Sequence, residues 1–209
     1  MEGRNLKLDA MWRVALWRQF GAAIDTLGNA LAACPDELWA ESLWLVKPDD
    51  PGVWPEDRSG SGGATPQDLR SIQVFSAFWY LAYHVLFFLD LYLSGGFEQF
   101  EEGFAAPAPF TADDQAPGVL PGRVYTRAEL QDYLAHNREK CKATIEELTD
   151  ESARRLCKRA RGEIPFAELL LVNMRHVQLH GEQLQMFLGQ RAGSASGWVE
   201  KAKDSPDYA

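Results

Sequence analysis

The chain is poor in several things, and each scarcity narrows what it can be. Only three of its 209 residues are cysteine, Cys34, Cys141 and Cys157. They form no CxxC pair, so neither a disulfide framework nor a zinc-thiolate site is expected, and a reducing cytoplasm fits best. Basic residues are outnumbered, 21 Lys and Arg against 30 Asp and Glu, for a net charge of −9. Nucleic acid and anionic membrane are disfavoured as partners, because both are bound by clustered Lys and Arg. The opening MEGRNLKLDAMWRVALW lacks the unbroken apolar stretch of a signal peptide and reads as the start of a helix. Long apolar runs are scarce too. Residues 74–93 approach the length of a bilayer span, but His84 and Asp90 interrupt them and no Lys or Arg closely flanks either end. They read as a central helix buried on most sides of a bundle. Neither a GxSxG elbow nor a GxxxxGK[ST] loop occurs. Histidine is rare at four residues, and its placement is the most informative feature of the chain.

What is present is material for one packed core, 46% hydrophobic and 24% charged residues. Over residues 8–33, Trp12, Leu16, Phe20, Ala23, Leu27 and Leu31 recur at three- and four-residue steps, which predicts a first helix stopped by Pro35. Gly21 and Gly28 on it leave room for a close neighbour. A Pro, Gly and Ser-rich loop follows at 47–63. Thr65 and Pro66 then signal the start of a second helix, expected to run to Leu93 before Gly95 and Gly96. The connection 95–125 holds Phe97, Phe100, Phe104 and Phe110, too much apolar surface to leave in water, and is expected to pack over the bundle as a lid. Thr126 and Glu129 form a capping box for a third helix over 127–148, striped by Leu130, Leu134, Cys141, Ile145 and Leu148. A short surface helix is expected at 151–160 and a fourth long helix at 165–189. The prediction is an all-α four-helix bundle with long inter-helix loops, one domain over 1–190, and a loosely held tail over 191–209.

His176 and His180 stand one turn apart on the core-facing stripe of the fourth helix. Buried imidazoles need partners, so either hydrogen bonds or a metal ion must satisfy them. His84, in the second helix, is placed to supply a third nitrogen from a facing helix. His136, beside Asn137 and Arg138, is expected on the solvated surface.

A histidine in the aromatic second helix, FWYLAYHVLFFLD, together with NMRHVQLHGEQLQMFLG in the last, resembles the DinB-like superfamily, which includes the YfiT-like metal-dependent hydrolases. The resemblance spans about residues 11–189. It implies a four-helix bundle whose metal is held by His84, His176 and His180. A glycine-glutamine pair often follows the last histidine in the family, whereas here Glu182 separates Gly181 from Gln183. Gln183, Asn173 and Tyr80 share helix faces with the histidines and are candidates to line the pocket; Glu182 points away.

Three imidazoles leave a divalent ion such as zinc, nickel, manganese or iron with an open position, the pattern of a catalytic site. That position can lower the pKa of water or hold a thiol as thiolate. His176-Val-Gln-Leu-His180 has no Glu after its first histidine, so it is not HExxH and peptidase chemistry is disfavoured. The family resemblance implies a transferase using a low-molecular-weight thiol of the mycothiol or bacillithiol type on a small electrophile, or a related hydrolase. The alternative is a non-catalytic metal-binding or interaction bundle of the stress-response type. A homodimer is compatible with either.

Overall fold

The computed structural model describes residues 10–44, 73–96, 106–111, 121–159 and 162–206. Four long helices dominate: α1 (Ala10–Ala33), α2 (Phe78–Ser94), α3 (Arg127–Glu146) and α5 (Phe166–Arg191). A single 3-10 turn, Asp36–Leu38, a short helix α4 (Asp150–Arg154) and a hairpin of β1 (Leu156–Arg159) and β2 (Gly162–Pro165) complete the described structure. Helices α1 and α2 each pack against both α3 and α5, which closes a four-helix bundle. The all-α expectation holds, apart from the hairpin.

Helix α1 buries Trp17, Phe20, Ile24, Leu27 and Leu31, steps of three and four that keep one face inward. Trp12, counted on that face from the sequence, is 60% exposed, and Trp17 takes its place in the core. Both glycines of α1 sit under close neighbours. A Cβ on Gly28 would lie 2.9 Å from Leu134 of α3, and one on Gly21 only 2.5 Å from Ala202.

The second helix begins later than the sequence suggests. Residues 73–75 are helical, Ser76 turns, and Ala77 forms a β-bridge with Ser42 before α2 starts at Phe78. The break is stabilised by the chain after α1: Trp79 N–H donates to Trp39 O and Phe78 N–H to Glu41 O, both at 3.0 Å. These bonds satisfy donors that a helix start otherwise leaves open. The expected start at Thr65 and Pro66, the loop 47–63, and Phe97, Phe100 and Phe104 lie outside the described residues. At its other end α2 stops in a Schellman turn: Gly96 N–H donates to Leu91 O and Gly95 N–H to Tyr92 O, with φ of 115° and 102° at the two glycines.

Thirteen of the seventeen residues of α2 are buried, so its outward side is covered as well. Phe110 does part of this, stacking on Tyr133 at 4.5 Å and on Tyr83 at 5.7 Å. That portion of the 95–125 connection packs over the bundle as expected, but its ring contacts are with tyrosines and none is with a histidine. Among the described residues no helix is long and apolar enough to cross a membrane. Two buried amides bind α2 to its neighbours: Asn137 Nδ2 donates to Leu86 O at 2.9 Å and Asn173 Nδ2 to Leu89 O at 3.0 Å. Buried Asp90 of α2 also accepts from Tyr133 Oη at 3.0 Å and pairs with Lys140 of α3, whose Nζ reaches Ser94 Oγ at 2.7 Å.

The capping box of α3 is present, with Thr126 N–H donating to Glu129 Oε2 at 2.8 Å and Glu129 N–H to Thr126 Oγ1 at 3.3 Å. The short helix expected at 151–160 is corrected: α4 ends at Arg154, and the chain turns into a hairpin in which Cys157 faces Ile164. Strands of four residues are too short to show alternation, and the basic residues between them mask the single inward pair. The tail is corrected as well. Instead of hanging loose it returns along α1: Ala202 is fully buried, its N–H donates to Arg18 O at 2.9 Å, and Lys203 N–H donates to Asp25 Oδ2 at 2.9 Å. Asp204 accepts from Arg138 at 2.7 Å and Lys142 at 2.9 Å, and the Arg138 guanidinium above all holds its carboxyl well below the usual range.

Candidate metal centre

Helix α2 presents His84 toward α5, and α5 answers with His176 and His180. The Asn173 bond to Leu89 fixes how the two helices lie, since it ties the turn before His176 to the turn after His84. Ring centroids are 5.3 Å apart for His84 and His176, 5.5 Å for His84 and His180, and 4.6 Å for His176 and His180. One nitrogen from each lies within 4.8 Å of the others. All three rings are half-buried.

Burial disfavours the charged form of two of these imidazoles. Burial pushes His176 down to about 3, assisted by repulsion from His180 and His84. Burial also lowers His180, partly opposed by its bond to Gln183. Gln183 Oε1 lies 2.7 Å from His180 Nδ1. An amide oxygen only accepts, so Nδ1 carries the proton and the Nε2 lone pair is left for another partner. Phe88, one turn beyond His84, closes one side of the cluster, 4.7 Å from His84 and 5.9 Å from His176.

A model of the DinB superfamily matches residues 19–184, a stretch that contains all three histidines and every long helix of the bundle in whole or in part. The chain belongs to the DinB superfamily. No curated protein and no solved structure matches it significantly.

The residues of this DinB protein fit a metal ion. His84 Nε2 and His176 Nε2 face each other at 3.3 Å, and two nitrogens bound tetrahedrally to one ion at the usual zinc–nitrogen length lie about 3.4 Å apart. The donor set is all nitrogen and uncharged, which suits borderline divalent ions and does not choose among them. His176 Nδ1 is buried with no hydrogen-bond partner, so hydrogen bonding does not account for this ring in full.

The remaining candidates fall into place around the triad. Gln183 touches His180 directly. Asn173 is fully buried and its Nδ2 donates to Leu89 O, which joins the two helices that carry the histidines. Tyr80 is buried one turn before His84, edge-on to Phe75 at 5.1 Å. Glu182 accepts from Gln178 at 2.7 Å on the exposed face and takes no part. His136 is corrected: it is half-buried against Tyr133, with Nε2 out of contact with water. It stands on the α3 side, apart from the other three. Burial raises all three thiols, Cys34 to about 12, so none is poised as a nucleophile. Sequence reasoning passed over Phe88, whose signal was its one-turn spacing from His84 in a helix already crowded with aromatics.

Proposed function

We propose that this DinB protein is a metal-dependent transferase that joins a low-molecular-weight thiol of the mycothiol or bacillithiol type to a small electrophile. His84, His176 and His180 hold a divalent transition metal: zinc, nickel, manganese or iron. The observation that carries the reading is the convergence of three imidazole nitrogens from two helices, with no fourth side-chain ligand of the His, Cys, Asp or Glu kind among the described residues. A three-ligand set leaves a position for substrate. An ion held there supplies Lewis acidity, lowering the pKa of a thiol or water that enters the open position.

The chain's own groups prepare that position. Gln183 holds the His180 tautomer, burial keeps His176 unprotonated at neutral pH, and Phe88 shields one side from water. In the transfer itself the thiol proton passes to solvent, sulfur forms the new bond to carbon, and the leaving group departs with the electron pair of the bond that breaks. Thiol transfer is favoured over hydrolysis on the family resemblance, and it needs no general base, which suits a triad that no carboxylate joins among the described residues. Three buried free thiols accord with a cytoplasmic setting.

Purified without a histidine tag and reconstituted, the protein should hold close to one equivalent of transition metal, and consume mycothiol or bacillithiol in the presence of electrophiles only while metal is bound. Less than a tenth of an equivalent by elemental analysis would overturn the metal site. A triad that no carboxylate joins among the described residues equally suits a second reading, a metal-binding bundle of the stress-response type without turnover. Full metal occupancy with no thiol loss on any electrophile selects that reading.

A further inference from the structure

Helix α5 turns one face into the bundle, and its opposite face is less polar than a solvated helix face usually is. Glu168, Leu171, Arg175, Leu179, Glu182 and Met186 are all exposed, at steps of three and four that set them in one row along the helix. Half of that row is apolar: Leu171 is 49% exposed, Leu179 57% and Met186 60%. A single exposed leucine needs no explanation, but these three lie on one stripe about 22 Å long.

The two charges inside the stripe are placed without local counterparts. A charge on a helix surface is ordinarily balanced three or four positions away on the same helix. Arg175 has Leu171, Val172, Gln178 and Leu179 at those positions, and Glu182 has Gln178, Leu179, Gln185 and Met186. Neither meets an opposite charge there. Gln178 Nε2 donates to Glu182 Oε1 at 2.7 Å, which orients the carboxylate and leaves its other oxygen for a further donor.

A second copy of the same stripe supplies the counterparts. Laid antiparallel about a twofold axis between Gln178 and Leu179, it sets Arg175 against the partner's Glu182 on both sides of the axis and Leu171 against the partner's Met186. The two copies of Leu179 then meet beside the axis. Parallel pairing would set arginine on arginine and glutamate on glutamate, so charge selects the antiparallel register.

We propose that the outer face of α5 is the seam of a homodimer, with the Arg175 guanidinium of each copy bound to the Glu182 carboxylate of the other. The proposal stands apart from the metal-centred reading. His176 and His180 flank the axis in sequence, so the two triads come to one level of the dimer. One helix from each copy makes a small interface, and association is expected in roughly the micromolar range.

Sedimentation of the full-length protein from about 1 μM to about 500 μM should show the dimer. Arg175→Glu and Glu182→Arg each turn two attractions into two repulsions, and each should weaken association about tenfold or more. They shift net charge in opposite directions, so a general effect of charge would weaken one and strengthen the other. Mixed in equal amounts, the two variants should associate again within about threefold of the parent affinity, because opposite signs then meet at both contacts. Leu179→Glu, which sets a carboxylate on each side of the axis, should leave only monomer. All these positions are exposed, and unchanged thermal melts would confirm that the fold is kept. Monomer at every concentration would overturn the proposal. So would a dimer that either single reversal leaves intact, or single variants that stay apart on mixing.

Discussion

Gln183 shows how much of a metal site can rest on a residue that never touches the metal. Its carbonyl oxygen, 2.7 Å from His180 Nδ1, decides which ring nitrogen is free. Gln183→Leu keeps the size of the side chain and removes the acceptor. Metal affinity should fall by about 10- to 100-fold, measured by competition with a chromophoric chelator, while the fold is retained. Burial gives His176 a pH signature of its own. Its folded value is lowered to about 3, against 6.5 for an ordinary histidine. On acidification the unfolded chain therefore takes up the proton first, so the contribution of this group to stability is complete above 6.5 and is lost as pH falls toward 3. Urea midpoints of metal-free protein should drop between pH 7 and 5, and less so in His176→Gln. The three histidines were legible in the sequence because a four-residue step on a core stripe is informative by itself. His136 was misread because the polar letters beside it suggested solvent, yet its neighbour Asn137 is fully buried, with its amide bound to Leu86 O. A polar residue that serves a backbone carbonyl looks, in sequence, like one that faces water.

Among the elements, the long helices were legible and the short connections were not. Capping at Thr126 and Glu129 is a local signal and located the start of α3, whereas its end at Glu146 falls two residues short of the expected 148. The break before α2 is set by residues 39–43, which lie more than thirty positions upstream and leave no mark at Ser76 or Ala77 themselves. The docked tail was hidden for a related reason: it is held through backbone groups and by the space over a glycine, and neither has a hydrophobic signature. Gly21→Val should force Ala202 out of that space. A bulkier side chain at such a contact costs about 1–3 kcal/mol. The tail should then become sensitive to limited proteolysis, with mass spectrometry placing the cuts after residue 191, while metal affinity stays within twofold of the parent, on the order of experimental scatter.

For the whole molecule, metal binding and folding are one equilibrium, because the triad draws its ligands from α2 and α5, which are about ninety positions apart in sequence. An ion that binds only the folded chain raises its stability by about 2.7 kcal/mol at a hundred times the dissociation constant. Thermal melts with zinc or nickel should shift upward by several degrees, on the order expected for that gain in a domain of this size. Chelator should reverse the shift, and His180→Ala should abolish it. An unchanged melt in the parent protein would argue that the site is too weak to matter.

The bundle also has two unlike sides. The triad lies where α2 meets α5, and the returning tail lies where α1 meets α3, on the opposite face. Arg18, in the third turn of α1, donates to Pro206 O at 2.9 Å, so the last described residue rests beside an early turn of the chain. Between Arg18 and Pro206 the described chain nearly closes on itself, so that a line of some two hundred residues is stitched back to its own beginning along a seam on the far side from the histidines.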